Sequence, residues 1–310
     1  MLAGAMSIWF ILTAISFVFV AWDIRQTPES PVLKWAFVIL TAFTGPVGAF
    51  FYVLGCREPL AGTHQTYVSS TWKQVLGSTM HCAAGDGLGI IAGAAIASVL
   101  SIGEGKGLIL EYALGFGFGW GYFQAYAMRS MAGGSYLRSL QMTFIPELFS
   151  MNVLMGGMQL VARPWIKQIP AANDPLDVSF WFIMSMALLT GIVCAYPMNW
   201  WLVTRHLKHG MITVAAATAS ARATKAEAGE PAQHHGHGNA QGAGHESSHS
   251  NHSHDQPMAK GHQASAHVGQ HRGHSSSSQD SNSPSQASIV GVGVMSFAFL
   301  WISLALIAQM

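Results

Sequence analysis

Seven stretches of this chain run for about twenty residues or more on apolar side chains with almost no charge, and no other feature limits its fold so tightly. They cover residues 2–22, 35–55, 76–102, 107–128, 139–162, 178–204 and 289–309. An apolar run longer than about 18 residues is a candidate transmembrane helix. A spanning segment must satisfy its own backbone hydrogen bonds, and a helix does so within itself. Charged residues make up only 9% of the chain, against about 25% in a soluble domain. The pattern predicts an all-α, polytopic integral membrane helix bundle of about seven transmembrane helices, in contact with a lipid bilayer.

Three parts follow from the change in composition along the chain. Residues 1–211 form a six-helix membrane domain, 212–287 a low-complexity loop rich in His, Ser and Gly, and 288–310 a C-terminal transmembrane helix. The loop has almost no large apolar side chain, so it cannot bury enough surface to offset ordering entropy and is expected to be disordered. No Lys or Arg precedes Arg25, and the first apolar run is too long for a signal-peptide core, so it reads as an uncleaved helix. A proline inside the second run, at Gly45-Pro46, frees a carbonyl that a neighbour must satisfy. Gly85, Gly89 and Gly93 recur every fourth residue, a small-residue face that lets a second helix approach closely.

Several functions are excluded by what the sequence contains. A formal net charge of +1 leaves no electrostatic footprint for nucleic acid. Three cysteines without zinc-ribbon spacing imply no disulfide framework. The alternation Gly115-Phe116-Gly117-Phe118-Gly119 is not a dinucleotide fingerprint, because no strand precedes it. Hydrolase, metalloprotease, P-loop and C-x-x-C signatures are missing from the sequence, so no enzyme class is indicated. His81 is the only intramembrane histidine, which leaves a bis-histidine haem without its second ligand.

Within the third run lie His81, Cys82 and Asp86, an imidazole, a thiol and a carboxylate deep in an apolar helix. Ionisable groups at that depth are costly and mark a functional site by default. Cys82 and Asp86 are four residues apart on one helical face, with His81 flanking them. This set suits divalent zinc, nickel or copper, and thiolate with thioether suits cuprous copper. Glu147, Met151, Met155 and Met158 share a face of the fifth run and could complete such a site, with Asn152 beside them. The competing reading makes the polar groups hydrogen-bonded ties between helices, and the methionines flexible packing. Glu111 is close enough to Lys106 to reach the membrane interface, whereas Glu147 has no such escape.

Eleven of the 15 histidines fall between His234 and His274, among them His234, His235, His237, His252 and His254. Neutral imidazole is the commonest metal ligand. Irregular spacing argues against one tetrahedral site and for a weak, multi-site reservoir, or for a linker that binds metal only incidentally. Counted over seven spans, Lys and Arg favour a cytoplasmic N-terminus and a cytoplasmic His-rich loop.

Three segments together resemble the bacterial membrane family called domain of unknown function 4396. They are His81-Cys82-Ala83-Ala84-Gly85, Phe180-Trp181, and Ala195-Tyr196-Pro197-Met198-Asn199-Trp200-Trp201-Leu202-Val203. Gly45-Pro46 also fits its longer members. The resemblance covers about residues 5–211 and omits the His-rich loop and the last helix. In the family pattern a second cysteine often follows the Gly after His-Cys, where this chain has Asp86. The resemblance implies a bacterial inner-membrane protein and no particular activity.

The expected function is the binding or transport of a transition-metal ion such as copper, nickel or zinc. The alternative is a non-transporting accessory or scaffold protein with a structural polar core. A proton-coupled carrier using Asp86 and Glu147 is a third reading.

Overall fold

In the computed structural model, which describes residues 2–60, 62–129, 132–210 and 284–309, the described residues are almost wholly helical and include no strand. The His-rich segment, with His234, His235, His237, His252 and His254, lies outside the described residues. The helices are α1 (Leu2–Asp23), α2 (Pro31–Gly55), the short α3 (His64–Val68) and α4 (Thr71–Val99). Next come α5 (Glu104–Phe116), a π-helical turn (Gly117–Gln124) and α6 (Ala125–Ala127), which run on as one rod. The last three are α7 (Tyr136–Gln168), α8 (Val178–Thr204) and α9 (Gln286–Gln309). Side-chain caps start several of them: Ser30 accepts from the Leu33 amide, Ser135 from Arg138 and Asp177 from Ser179.

Among the described residues, six helices are long and apolar enough to cross a membrane, α2 among them. Yet α2 does not cross. Phe37 and Tyr52 have ring centroids 5.8 Å apart, whereas fifteen residues of straight helix would separate them by roughly 22 Å. A Cβ placed on Gly48 would lie 3.0 Å from Thr41 Cα. The chain reverses at Gly45, whose φ of 56° and ψ of −132° only glycine adopts readily. Thr13 of α1 packs against that glycine, and Ser185 of α8 donates to the Phe43 carbonyl. The second apolar run is therefore a re-entrant hairpin, residues 31–44 and 46–55, with its tip buried among helices. Irregular backbone at membrane depth is tolerated only when shielded in this way.

This reversal sets the topology. Tyr52 donates to Asp23 Oδ2 at 2.8 Å, and its hydroxyl pairs with Thr27 at 2.9 Å, so both roots of the hairpin lie at the end where α1 finishes. We call this the hairpin face. From it α4 runs to the opposite, terminal face, the α5–α6 rod returns, α7 goes out again and α8 comes back. Helix α9 lies parallel to α7, since Phe149 meets Gly293, Asn152 meets Ser296 and Lys167 meets the Ile307 carbonyl. Residues 210 and 284, which flank the His-rich segment, therefore both sit on the hairpin face. With α2 folded back, the described residues make six crossings instead of seven, and Leu2 lies on the face opposite residues 210 and 284.

At the centre is α4, whose residues from Lys73 to Gly87 are all buried. Its glycine face meets the α5–α6 rod backbone to backbone. A Cβ on Gly85 would fall 2.9 Å from Gly119 Cα, and one on Gly93 would fall 2.7 Å from Glu111 Cα. Small residues at each turn are what permit this approach.

Candidate functional site

Helix α8 ends in a turn that sends the chain back into the bundle. His206 adopts a left-handed φ of 57°, and the amides of Leu207 and Lys208 both donate to the Leu202 carbonyl. A left-handed residue just past a helix end is an established way to satisfy the last carbonyls and redirect the chain. Here it aims Lys208 inward. The ammonium is enclosed by four acceptors: Cys82 Sγ at 2.6 Å, Glu147 Oε2 at 2.9 Å, Ser150 Oγ at 3.1 Å and Asn199 Oδ1 at 3.1 Å. Both side chains of the Lys208–Glu147 ion pair are wholly buried. The Cys82 thiol reaches the same carboxylate oxygen at 3.3 Å.

Asp86, one turn along α4 from Cys82, lies beside Glu147. Its carboxyl rests on Gly119 of the π turn, where any side chain would collide with it. The π turn thus brings a glycine, with no side chain, onto the acid. Neither Asp86 oxygen has a hydrogen-bond partner, nor has Glu147 Oε1. One ammonium cannot neutralise two carboxylates. A second negative charge here needs a proton or an external cation, because an unpaired buried charge costs several kcal/mol or more.

The residues singled out in the sequence are distributed unevenly around this point. Cys82, Asp86 and Glu147 come together. His81 turns away, edge-on to Phe123 with ring centroids 5.4 Å apart, and neither of its nitrogens has a partner. Met151 packs against Gly115 and Met158 against Gly191, while Met155 is buried in the core. Among the described residues no three His, Cys, Asp or Glu side chains converge in metal-holding geometry. The Lys208 ammonium lies between Cys82 and Glu147.

Lys208, which lies beyond the end of the sixth apolar run, is buried and central. Asn199 and Ser150 were missed as partners. Asn199 alone carried a signal, as an amide within an apolar run. Glu111, toward the terminal face, takes Arg163 at 3.0 Å and Gln159 at 2.7 Å, both from α7.

A bundle with a re-entrant hairpin and buried charges between its helices defines an integral, multi-pass membrane protein. Residues 71–208, from the start of α4 to Lys208, match the family described as domain of unknown function (DUF4396). No curated protein and no solved structure matches the chain. The matched segment contains every residue of the Lys208 cage.

Proposed function

We propose that this protein carries a transition-metal cation across the bilayer, with Cys82, Asp86 and Glu147 as ligands and Lys208 as a tethered cation that holds the site between cargo ions. The observation behind this reading is the four-acceptor cage around Lys208 Nζ, which is a cation site filled by the protein's own side chain. Thiolate and carboxylate donors favour copper, nickel or zinc over hard ions. The unpartnered Asp86 supplies a further negative group beside the cage.

The six-crossing topology, with the charge distribution, supports one orientation. On the hairpin face lie Arg25, Lys34, Arg57, Lys73, Arg129, Arg138 and Arg205, and on the terminal face only Lys106, Arg163 and Lys167 among the described residues. By the positive-inside rule the hairpin face is cytoplasmic. In a bacterial cell the membrane would be the inner one. The histidines between 234 and 274 would act as a reservoir of weakly bound metal.

Metal content tests the reading. Protein lacking residues 233–275 is purified in detergent after exposure to copper(I), nickel(II) or zinc(II). Lys208→Met is expected to retain about one ion per chain, lost again when Cys82→Ser is added. If Lys208→Met folds and holds none of the three metals, the cage is structural and the scaffold reading replaces transport.

A further inference from the structure

The Lys208 cage has a counterpart at the other end of the bundle. A cavity of about 550 Å³ opens near the terminal face, lined by Ser98, Glu104, Glu111, Gln159, Arg163 and Lys167 among others. At its inner wall Glu111 accepts from Arg163 Nη2 at 3.0 Å and from Gln159 Nε2 at 2.7 Å, and Gln159 Oε1 accepts from Arg163 Nε at 3.0 Å. Here too a buried carboxylate pairs with one cation, and Gln159 bridges the two. A second cavity, of about 220 Å³, ends on Lys208 from the hairpin side, between Gln124, Pro146 and His206.

Polar groups bridge the space between the two. Tyr112 donates to Asn152 Oδ1 at 2.7 Å, and Asn152 donates to Ser296 at 3.3 Å. Tyr112 also lies close enough to Asp86 to feel its charge. Along α7 the positions 147, 152, 159 and 163 therefore carry Glu, Asn, Gln and Arg in succession, over roughly 24 Å of helix rise. The two ends differ in wetness. The Arg163 and Glu111 side chains are 23% and 7% exposed, whereas Lys208 and Glu147 are fully buried.

We propose that Arg163 is a second tethered cation and that its pairing with Glu111 gates the path from the terminal-face cavity, as Lys208 gates the path from the hairpin face. A cation arriving in the large cavity competes with Arg163 for Glu111, then passes the Asn152 and Asp86 level to the Cys82–Glu147 site. Each gate opens when its own carboxylate exchanges an internal cation for the cargo. This inference rests on the transport reading and adds the route and the second gate.

Cys82 lies between the gates and reports on both. Full-length protein is held in sealed vesicles of known sidedness and treated from one face at a time with a cationic, membrane-impermeant methanethiosulfonate. Modification of Cys82 is followed by peptide mass spectrometry. Arg163→Gln is expected to speed modification at least tenfold from the terminal face alone, and Lys208→Gln from the hairpin face alone. Glu111→Gln, nearly isosteric, releases Arg163 by the opposite route and should match Arg163→Gln, while Arg163→Lys should restore slow modification. Unchanged rates in both Arg163→Gln and Glu111→Gln, or equal acceleration from both faces, would overturn the second gate. Metal retained by Lys208→Met alongside that result would leave the central site standing and remove only the gate.

Discussion

Lys208 Nζ lies 2.9 Å from Glu147 Oε2 with neither side chain exposed, although the lysine follows the end of α8 by four residues. Removing one member of such a pair strands the other, at a typical cost of about 3–5 kcal/mol, while removing both is far milder. Glu147→Gln and Lys208→Met should each lower the unfolding midpoint in detergent without added metal. The double variant should lose markedly less than the sum of the two. Strict additivity would show that the two groups do not interact.

Gly119 and Asp86 make a second dependence. Because a Cβ at 119 would overlap the Asp86 carboxyl, Gly119→Ala should cost about 1–3 kcal/mol or more, as overpacking does. Shortening the acid in Gly119→Ala/Asp86→Ala should recover a large part of that loss. A harmless Gly119→Ala would contradict the described seat of Asp86.

The re-entrant hairpin is open to a topological test. Single cysteines introduced at positions 28 and 60 should react with an impermeant reagent from the same face of sealed vesicles, and one at position 4 from the opposite face. A conventional crossing by α2 would put 28 and 60 on different faces.

Near the root of the hairpin, Glu29 and His64 meet at 2.7 Å, both nearly buried. Burial raises the Glu29 carboxyl to about 8, against the pull of Lys34, and lowers His64, against that of Glu58. The pair is thus neutral near pH 7, with the carboxylic acid donating to the imidazole. Sign follows from proton counts. Below the ordinary histidine value of 6.5, the unfolded imidazole takes up a proton that the folded one refuses, which offsets the proton that folded Glu29 holds. Between about 6.5 and 8 the Glu29 proton alone counts, the folded state binds more protons, and stability falls as pH rises. That slope is at most about 1.4 kcal/mol per pH unit. The unfolding midpoint should therefore drop from pH 6.5 to 8.5 in the wild type and stay nearly level in Glu29→Gln. Parallel curves would rule out this pair as the source.

Much of this architecture was legible in the residue pattern, and the failures share a cause. Cys82, Asp86 and Glu147 stood out because an apolar helix tolerates so few ionisable groups. The glycine face of α4 announced the close approach that the α5–α6 rod makes. Helix α2 misled because hydropathy measures length and apolarity, and a hairpin buried among helices has the same composition as a crossing. Only Gly45-Pro46 hinted otherwise. Lys208 was hidden because its position depends on a left-handed His206, a conformation uncommon outside glycine and invisible in any periodicity. The Glu111–Arg163 pair was hidden for a similar reason, since 52 residues of sequence separate its members.

Flux through the Lys208 site is the most direct test of the whole account. Wild-type protein is reconstituted into vesicles holding a metal-sensitive fluorophore, and copper(I), nickel(II) or zinc(II) is added outside. The account predicts uptake of at least one of these ions above the level of empty vesicles, abolished by Cys82→Ser and by Glu147→Gln. Lys208→Met should bind the ion yet fail to turn over. Wild-type vesicles that take up none of the three, or Glu147→Gln vesicles that match the wild type, would contradict it.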